Sequence, residues 1–162
     1  MDLDTIRILF TYQDWTRDRL MAVVEPLSDG QLDRAFEMGP GSLRETVGHL
    51  YASEWLWLAR WKGRPPVRSD VPSEFASMTA LRKAWRLTAD ERNAFLDTLA
   101  DTDLDRSITY TGMDGNERTF TLGQMMLHAC NHGTHHRAQA LNMLRHVGVN
   151  PPPLDFTIMF DE

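Results

Sequence analysis

A single cysteine, Cys130, stands among the 162 residues, so no intramolecular disulfide can form. Nothing calls for an oxidising compartment, and a reducing cytoplasm is the expected setting. The chain also lacks any uninterrupted apolar run near the roughly 18 residues of a membrane span. Its most apolar stretch, LYASEWLWLARW, is broken by Glu54 and Arg60, and no membrane partner is expected. Basic residues are not in excess: the formal net charge is -6, with the acidic residues dispersed. This argues against a surface built to neutralise phosphate backbones, and so against nucleic acid as a partner. The start, MDLDTIRILFTYQDW, has neither the basic region nor the small-residue cleavage site of a secretory leader and reads as mature protein. Gly-rich phosphate loop, nucleophile elbow and CxxC pair are all missing, which removes several enzyme classes.

What is present is the profile of an ordinary globular protein, 42% hydrophobic and 25% charged. No repeat, low-complexity tract or linker divides the chain, and one domain over residues 1–162 is expected. Helical periodicity marks four long segments. The first runs from about Asp4 to Val24 and stops near Pro26; Ser28 is placed to cap a minor turn after it. The second opens at Ser42 with Glu45 three residues on, matching a capping box, and ends at Gly63 and the Pro65-Pro66 pair. Its middle is apolar on most sides, as in a central helix. A third spans about Met78 to Leu99. The segment RSITYTGMDGNERTFTL then alternates around Asp114-Gly115, predicting a small β-hairpin. The fourth starts at Thr121, with Gln124 completing a second box, and runs to about His146. The fold expected is all-α, a four-helix bundle with that hairpin between its third and fourth helices. The connections 63–77 and 100–120 are long enough for crossovers, so the helix order stays open.

Four histidines fall within HACNHGTHH, residues 128–136. His128, His132 and His136 form an i, i+4, i+8 ladder whose outer members are about 12 Å apart along the axis, too far for one ion to take all three. An adjacent pair must recruit a ligand from elsewhere, and the pair is undecided among 128/132, 132/136 and 132/135. His49 alone lies outside the last 35 residues, and facing helices assemble metal ligands in bundle interiors. His49, His132 and His136 would make a three-histidine site with open positions, the arrangement of catalytic rather than structural zinc. An ion so held lowers the pKa of a bound water or thiol enough to supply a nucleophile near neutral pH.

The helix TLGQMMLHACNHGTHHRAQALNMLRHVG, with TYQDWTRDRL, LSDGQLDR, GSLRETVGHLYASEWLW and the tail PPPLDF, resembles the DinB/YfiT-like superfamily of metalloenzymes over nearly the whole chain. NHGTHHRAQ follows that family's NHxxHHRGQ pattern, departing at Ala138, where glycine is usual. The resemblance implies His49, His132 and His136 as metal ligands and a four-helix bundle that is often a homodimer. It places the divalent ion at one end of the interior; three histidines do not select one metal, so zinc is expected first, with nickel, iron or manganese as alternatives. It also implies thiol S-transfer with a low-molecular-weight thiol of the bacillithiol or mycothiol type, or hydrolysis, acting on a small molecule in stress or detoxification. The alternative is a stress protein that binds metal or a small ligand without turnover, or a dimeric scaffold.

Glu54, in an apolar helix, needs a partner if buried. It could orient a ligating histidine, or pair with Arg44, Arg60 or Arg137. His128 and His135 are candidates for supporting or proton-shuttling roles. Arg137 could hold a carboxylate or serve structure. Cys130 points about 160° away from His132 and reads as a small buried residue. Trp55, Trp57 and Trp61, on one helix, suit a core, a pocket wall or a dimer face.

Overall fold

The computed structural model describes residues 1–64, 75–112 and 114–161. It is an all-α bundle carrying one small hairpin, as the periodicity predicts. The long helices are α1 (Leu3–Val24), α3 (Leu43–Trp61), α4 (Met78–Leu96) and α5 (Leu122–His146), with a single turn, α2 (Asp29–Leu32), after the first. Caps fix where they begin. Asp2 accepts from Thr5 N–H and Ser77 from Ala80 N–H, each satisfying an orphan donor of the first turn. At α5 the box is reciprocal: Gln124 N–H donates to Thr121 Oγ1 and Thr121 N–H to Gln124 Oε1. At α3 only half of it forms, because the Glu45 carboxylate accepts from the Ser42 hydroxyl rather than from its backbone N–H. Ser28 caps α2 as expected. Helix α4 stops at Leu96, one turn short of Leu99, and a 3-10 turn over Asp101–Asp105 follows. The Pro65-Pro66 stop lies outside the described residues.

Two apolar clusters reveal how the helices run. One joins Leu20, Met21 and Val24 with Leu43, Val47, Met78, Leu81, Met143 and Leu144. The other joins Leu3, Ile6 and Phe10 with Trp57, Leu58, Trp61, Leu96, Met125 and Met126. The C-terminal ends of α1 and α5 thus meet the N-terminal ends of α3 and α4, and the order along the chain is up, down, down, up. Helices α3 and α4 touch and are parallel, so the connection between them is a crossover. Strong contacts join α1 and α3 each to α4 and α5, which leaves α1 diagonal to α3 and α4 diagonal to α5.

Strands β1 (Ser107–Thr111) and β2 (Glu117–Thr121) pair antiparallel, Ser107 opposite Thr121 and Thr111 opposite Glu117. The turn is longer than the Asp114-Gly115 pair, closing with Gly112 N–H to Asn116 O, and Gly115 takes φ of 83° inside it. The hairpin lays Tyr110 edge-on against Trp57 of α3, centroids 5.7 Å apart. At the other end of the chain, the Tyr12 hydroxyl donates to Leu154 O at 2.6 Å and fastens the tail to α1.

Between the apolar clusters lies a polar layer. Arg92 of α4, fully buried, pairs with Asp14 of α1 and Glu54 of α3. Arg17 also pairs with Asp14, and Arg137 of α5 donates to Gln13 of α1. Gly133 leaves room for this contact: a Cβ on it would stand 2.6 Å from Gln13 Oε1 and 2.9 Å from Arg137 Nη1, and both side chains would have to shift. Trp57 and Trp61 belong to the core rather than to an outer face.

Candidate metal centre

Because α3 and α5 pack antiparallel, His49 near the start of α3 comes to face the middle of α5. One ring nitrogen from each of His49, His132 and His136 lies within 4.8 Å of the others. The Nε2 atoms of His49 and His132 are 3.2 Å apart. Two nitrogens bound tetrahedrally to zinc at about 2.0–2.1 Å stand about 3.3 Å apart, so this pair is already at the spacing of two ligands of one divalent ion, with the His136 nitrogen within 4.8 Å of both. On α5 the pair falls between Cys130 of one apolar cluster and Ala140 of the other. The group therefore sits midway along the helix and not at an end of the bundle, since His49 can meet only the part of α5 that passes it. Among the described residues no further histidine, cysteine or carboxylate joins the three.

The local electrostatics suit ligation. Burial pushes the pKa of all three below the ordinary histidine range, helped at His49 and His132 by neighbouring imidazoles, and His132 falls to about 3. At neutral pH each ring is uncharged, the form that can donate a lone pair. Gln139, one turn beyond His136, orients the set. His136 Nδ1–H donates to Gln139 Oε1 at 2.8 Å, while the Gln139 amide donates to His135 Nε2 at 3.1 Å. This fixes the proton on Nδ1 and leaves Nε2 of His136 as the free donor. Behind Gln139 stands Gly39, at φ of 55°, where a Cβ would be only 2.5 Å from Gln139 Oε1.

The other sequence candidates are dispersed. His135 stands outside the three, edge-on to His136 with centroids 4.8 Å apart and hydrogen-bonded by Gln139. His128 packs against Trp57, centroids 4.9 Å apart, and its ring is 6.0 Å from that of His132. Glu54 accepts from Trp85 Nε1 at 2.6 Å and from Arg92. Its partner is thus Arg92 rather than Arg44, Arg60 or Arg137, and none of its hydrogen bonds goes to a histidine. Arg137 is buried against Gln13, Thr134 and Tyr12, a structural use. Cys130 is buried, which pushes its thiol up to about 12 and leaves it inert at neutral pH.

On the solvent side His49 and His132 open into a hollow of about 260 Å3 also lined by Trp57, Arg60, Tyr110, Arg118 and His128. A second, of about 530 Å3, shares Trp57, Tyr110, Arg118 and His128 and adds Phe120 and Met125. Toward the core, His132 and Glu54 border a cavity of about 20 Å3, room for about one water. Gln139 and the hairpin residues were not assigned roles from the sequence. Gln139 carried a local signal, three residues past His136 on the same helix face. The approach of Tyr110 and Arg118 depends on where the hairpin folds back, which no spacing encodes.

The model of the DinB family matches residues 3–161. No curated protein matches the chain. Among solved structures, YfiT from Bacillus subtilis, described as a probable metal-dependent hydrolase with an unusual four-helix bundle topology, is 21% identical at a TM-score of 0.72, covering 93% of this chain and 91% of that one. A DinB-like protein, YjoA, from the same organism is 20% identical at 0.66, covering 91% and 97%. Another from Bacillus cereus is 20% identical at 0.60, covering 87% and 93%. At these identities the likeness shows a shared fold.

Proposed function

This chain belongs to the DinB family, and from that premise we propose that it is a metal-dependent enzyme acting on a small electrophile, with His49, His132 and His136 as its metal ligands. The observation that carries this is the convergence of three uncharged imidazoles, two of them bordering an open hollow, with no fourth protein ligand among the described residues. A divalent ion held there, zinc first with nickel, iron or manganese as alternatives, would acidify a water or thiol and so supply a nucleophile near neutral pH.

The chain's own residues bind and orient. Gln139 holds the His136 tautomer, Trp57 and Tyr110 wall the hollow, and His128 at its rim is placed to take up or release a proton. Thiol S-transfer in a reducing cytoplasm, in stress or detoxification, is the finer reading. Two adjoining hollows give room for an organic thiol and an acceptor together, which hydrolysis does not need. Hydrolysis is the second reading, favoured by the description of YfiT. A homodimer belongs to the same proposal, with Ile8 and Leu127, exposed on the neighbouring helices α1 and α5, as its apolar surface. Sedimentation of the full chain tests that part.

Activity is tested by loading the protein with each metal and following chlorodinitrobenzene with N-acetylcysteine, and p-nitrophenyl acetate in water. Metal-dependent conjugation that disappears in His132→Ala supports S-transfer, whereas ester cleavage without conjugation supports hydrolysis. Retained metal with neither activity points to the non-catalytic binding protein or scaffold.

A further inference from the structure

Arg60, in the last turn of α3, is 6% exposed. Its guanidinium lies between two rings, 4.6 Å from the centroid of Trp57 and 4.2 Å from that of Tyr110. Every other buried arginine has a hydrogen-bonding partner: Arg17 has Asp14 and Asp18, Arg92 has Asp14 and Glu54, and Arg137 has Gln13 and Thr134. Among the described residues no carboxylate or carbonyl accepts from Arg60. The nearby Arg118 is not in this condition, since Asp114 takes both of its terminal nitrogens at 2.7 Å. Burial, and the Arg118 charge after it, act against the protonated form of Arg60, with Tyr110 opposing them.

A guanidinium has five N–H donors in a planar fork. Two aromatic faces offset part of its desolvation but satisfy none of those donors. The fork borders the same hollow as His49 and His132, and Trp57 and Tyr110 continue from there into the larger, more apolar hollow with Phe120 and Met125. An occupant that completes this arrangement carries a planar or tetrahedral anionic group for the fork and an apolar body for the rings.

We propose that Arg60 is an anion anchor beside the histidines, binding the carboxylate or phosphate of a small organic anion whose apolar part lies against Trp57 and Tyr110. As a statement about which substrates the enzyme takes, this rests on the metal-dependent reading above. As a binding site it stands without a metal, because none of its contacts passes through the histidines.

The full-length protein is titrated calorimetrically with benzoate, phenylphosphonate and benzyl alcohol, alongside Arg60→Gln, Arg60→Lys and His132→Ala. The wild type binds at least one of the two anions about tenfold or more tighter than the neutral alcohol. Tighter benzoate identifies a carboxylate source, tighter phenylphosphonate a phosphate source. That preference is lost in Arg60→Gln, reduced in Arg60→Lys, which keeps the charge but not the fork, and kept in His132→Ala. Anion preference that survives in Arg60→Gln and vanishes in His132→Ala places the anion at the histidines and overturns the proposal. So does a wild type that binds neither benzoate nor phenylphosphonate tighter than benzyl alcohol, a comparison that needs no variant to fold. Failure of the metal reading shows separately, as absence of metal from a wild type that still prefers the anion.

Discussion

Gln139 joins the two adjacent histidines that close the run, accepting from His136 and donating to His135. Removing such a support typically costs about 10–100-fold in metal affinity, and Gln139→Ala is expected to show that loss in a competition titration while circular dichroism stays unchanged. Gly39→Ala acts on the same contact from behind, pressing on Gln139 Oε1, and should weaken metal binding in the same direction. The histidines also set a pH dependence. Their folded-state pKa values lie below the unfolded value of about 6.5, so the unfolded chain takes up protons first as the pH falls. Stability they contribute is complete above about pH 6.5 and is lost as the pH drops through the folded values, about 3 for His132. Melting of metal-free protein should therefore move to lower temperature from about pH 6.5 downward, less steeply in His132→Asn. A slope identical in the two proteins would remove His132 from this account.

Among the helices, the buried Arg92 draws α1, α3 and α4 together through Asp14 and Glu54. Breaking a buried pair from one side costs about 3–5 kcal/mol, so Glu54→Gln should lower the urea midpoint strongly and leave the metal content as it was. Had Glu54 oriented a ligating histidine, the metal would be lost and the midpoint nearly kept. This residue shows where the sequence stops being legible. A carboxylate in an apolar helix plainly needs a partner, but Arg92 is 38 positions away and reaches Glu54 because α3 and α4 run parallel. Periodicity gives each helix its buried face without naming the neighbour. Caps are legible because their partners are three residues apart, and even there Glu45 took the Ser42 hydroxyl in place of its amide.

For the whole molecule, the up, down, down, up order sets His49 against the middle of α5, and an ion held there ties α3 to α5. Binding to the folded state alone stabilises it by about 4 kcal/mol at a thousandfold excess over Kd. At about 2–4 °C per kcal/mol for a chain of this size, saturating metal should raise Tm by about 8–16 °C, and His49→Ala should abolish the rise. The histidine run and the bundle class were readable from local spacing, which also nominated His49 as the third member. The parallel α3–α4 pair, the mid-helix position of the site and the hairpin wall come from long-range packing. Elemental analysis of protein purified without chelator or affinity metal, beside His49→Ala and His132→Ala, tests the central claim most directly. About one divalent ion per chain, lost in both variants, is the expected result; a wild type that holds no metal and cannot be loaded, or a His49→Ala protein that keeps its full content, would contradict it.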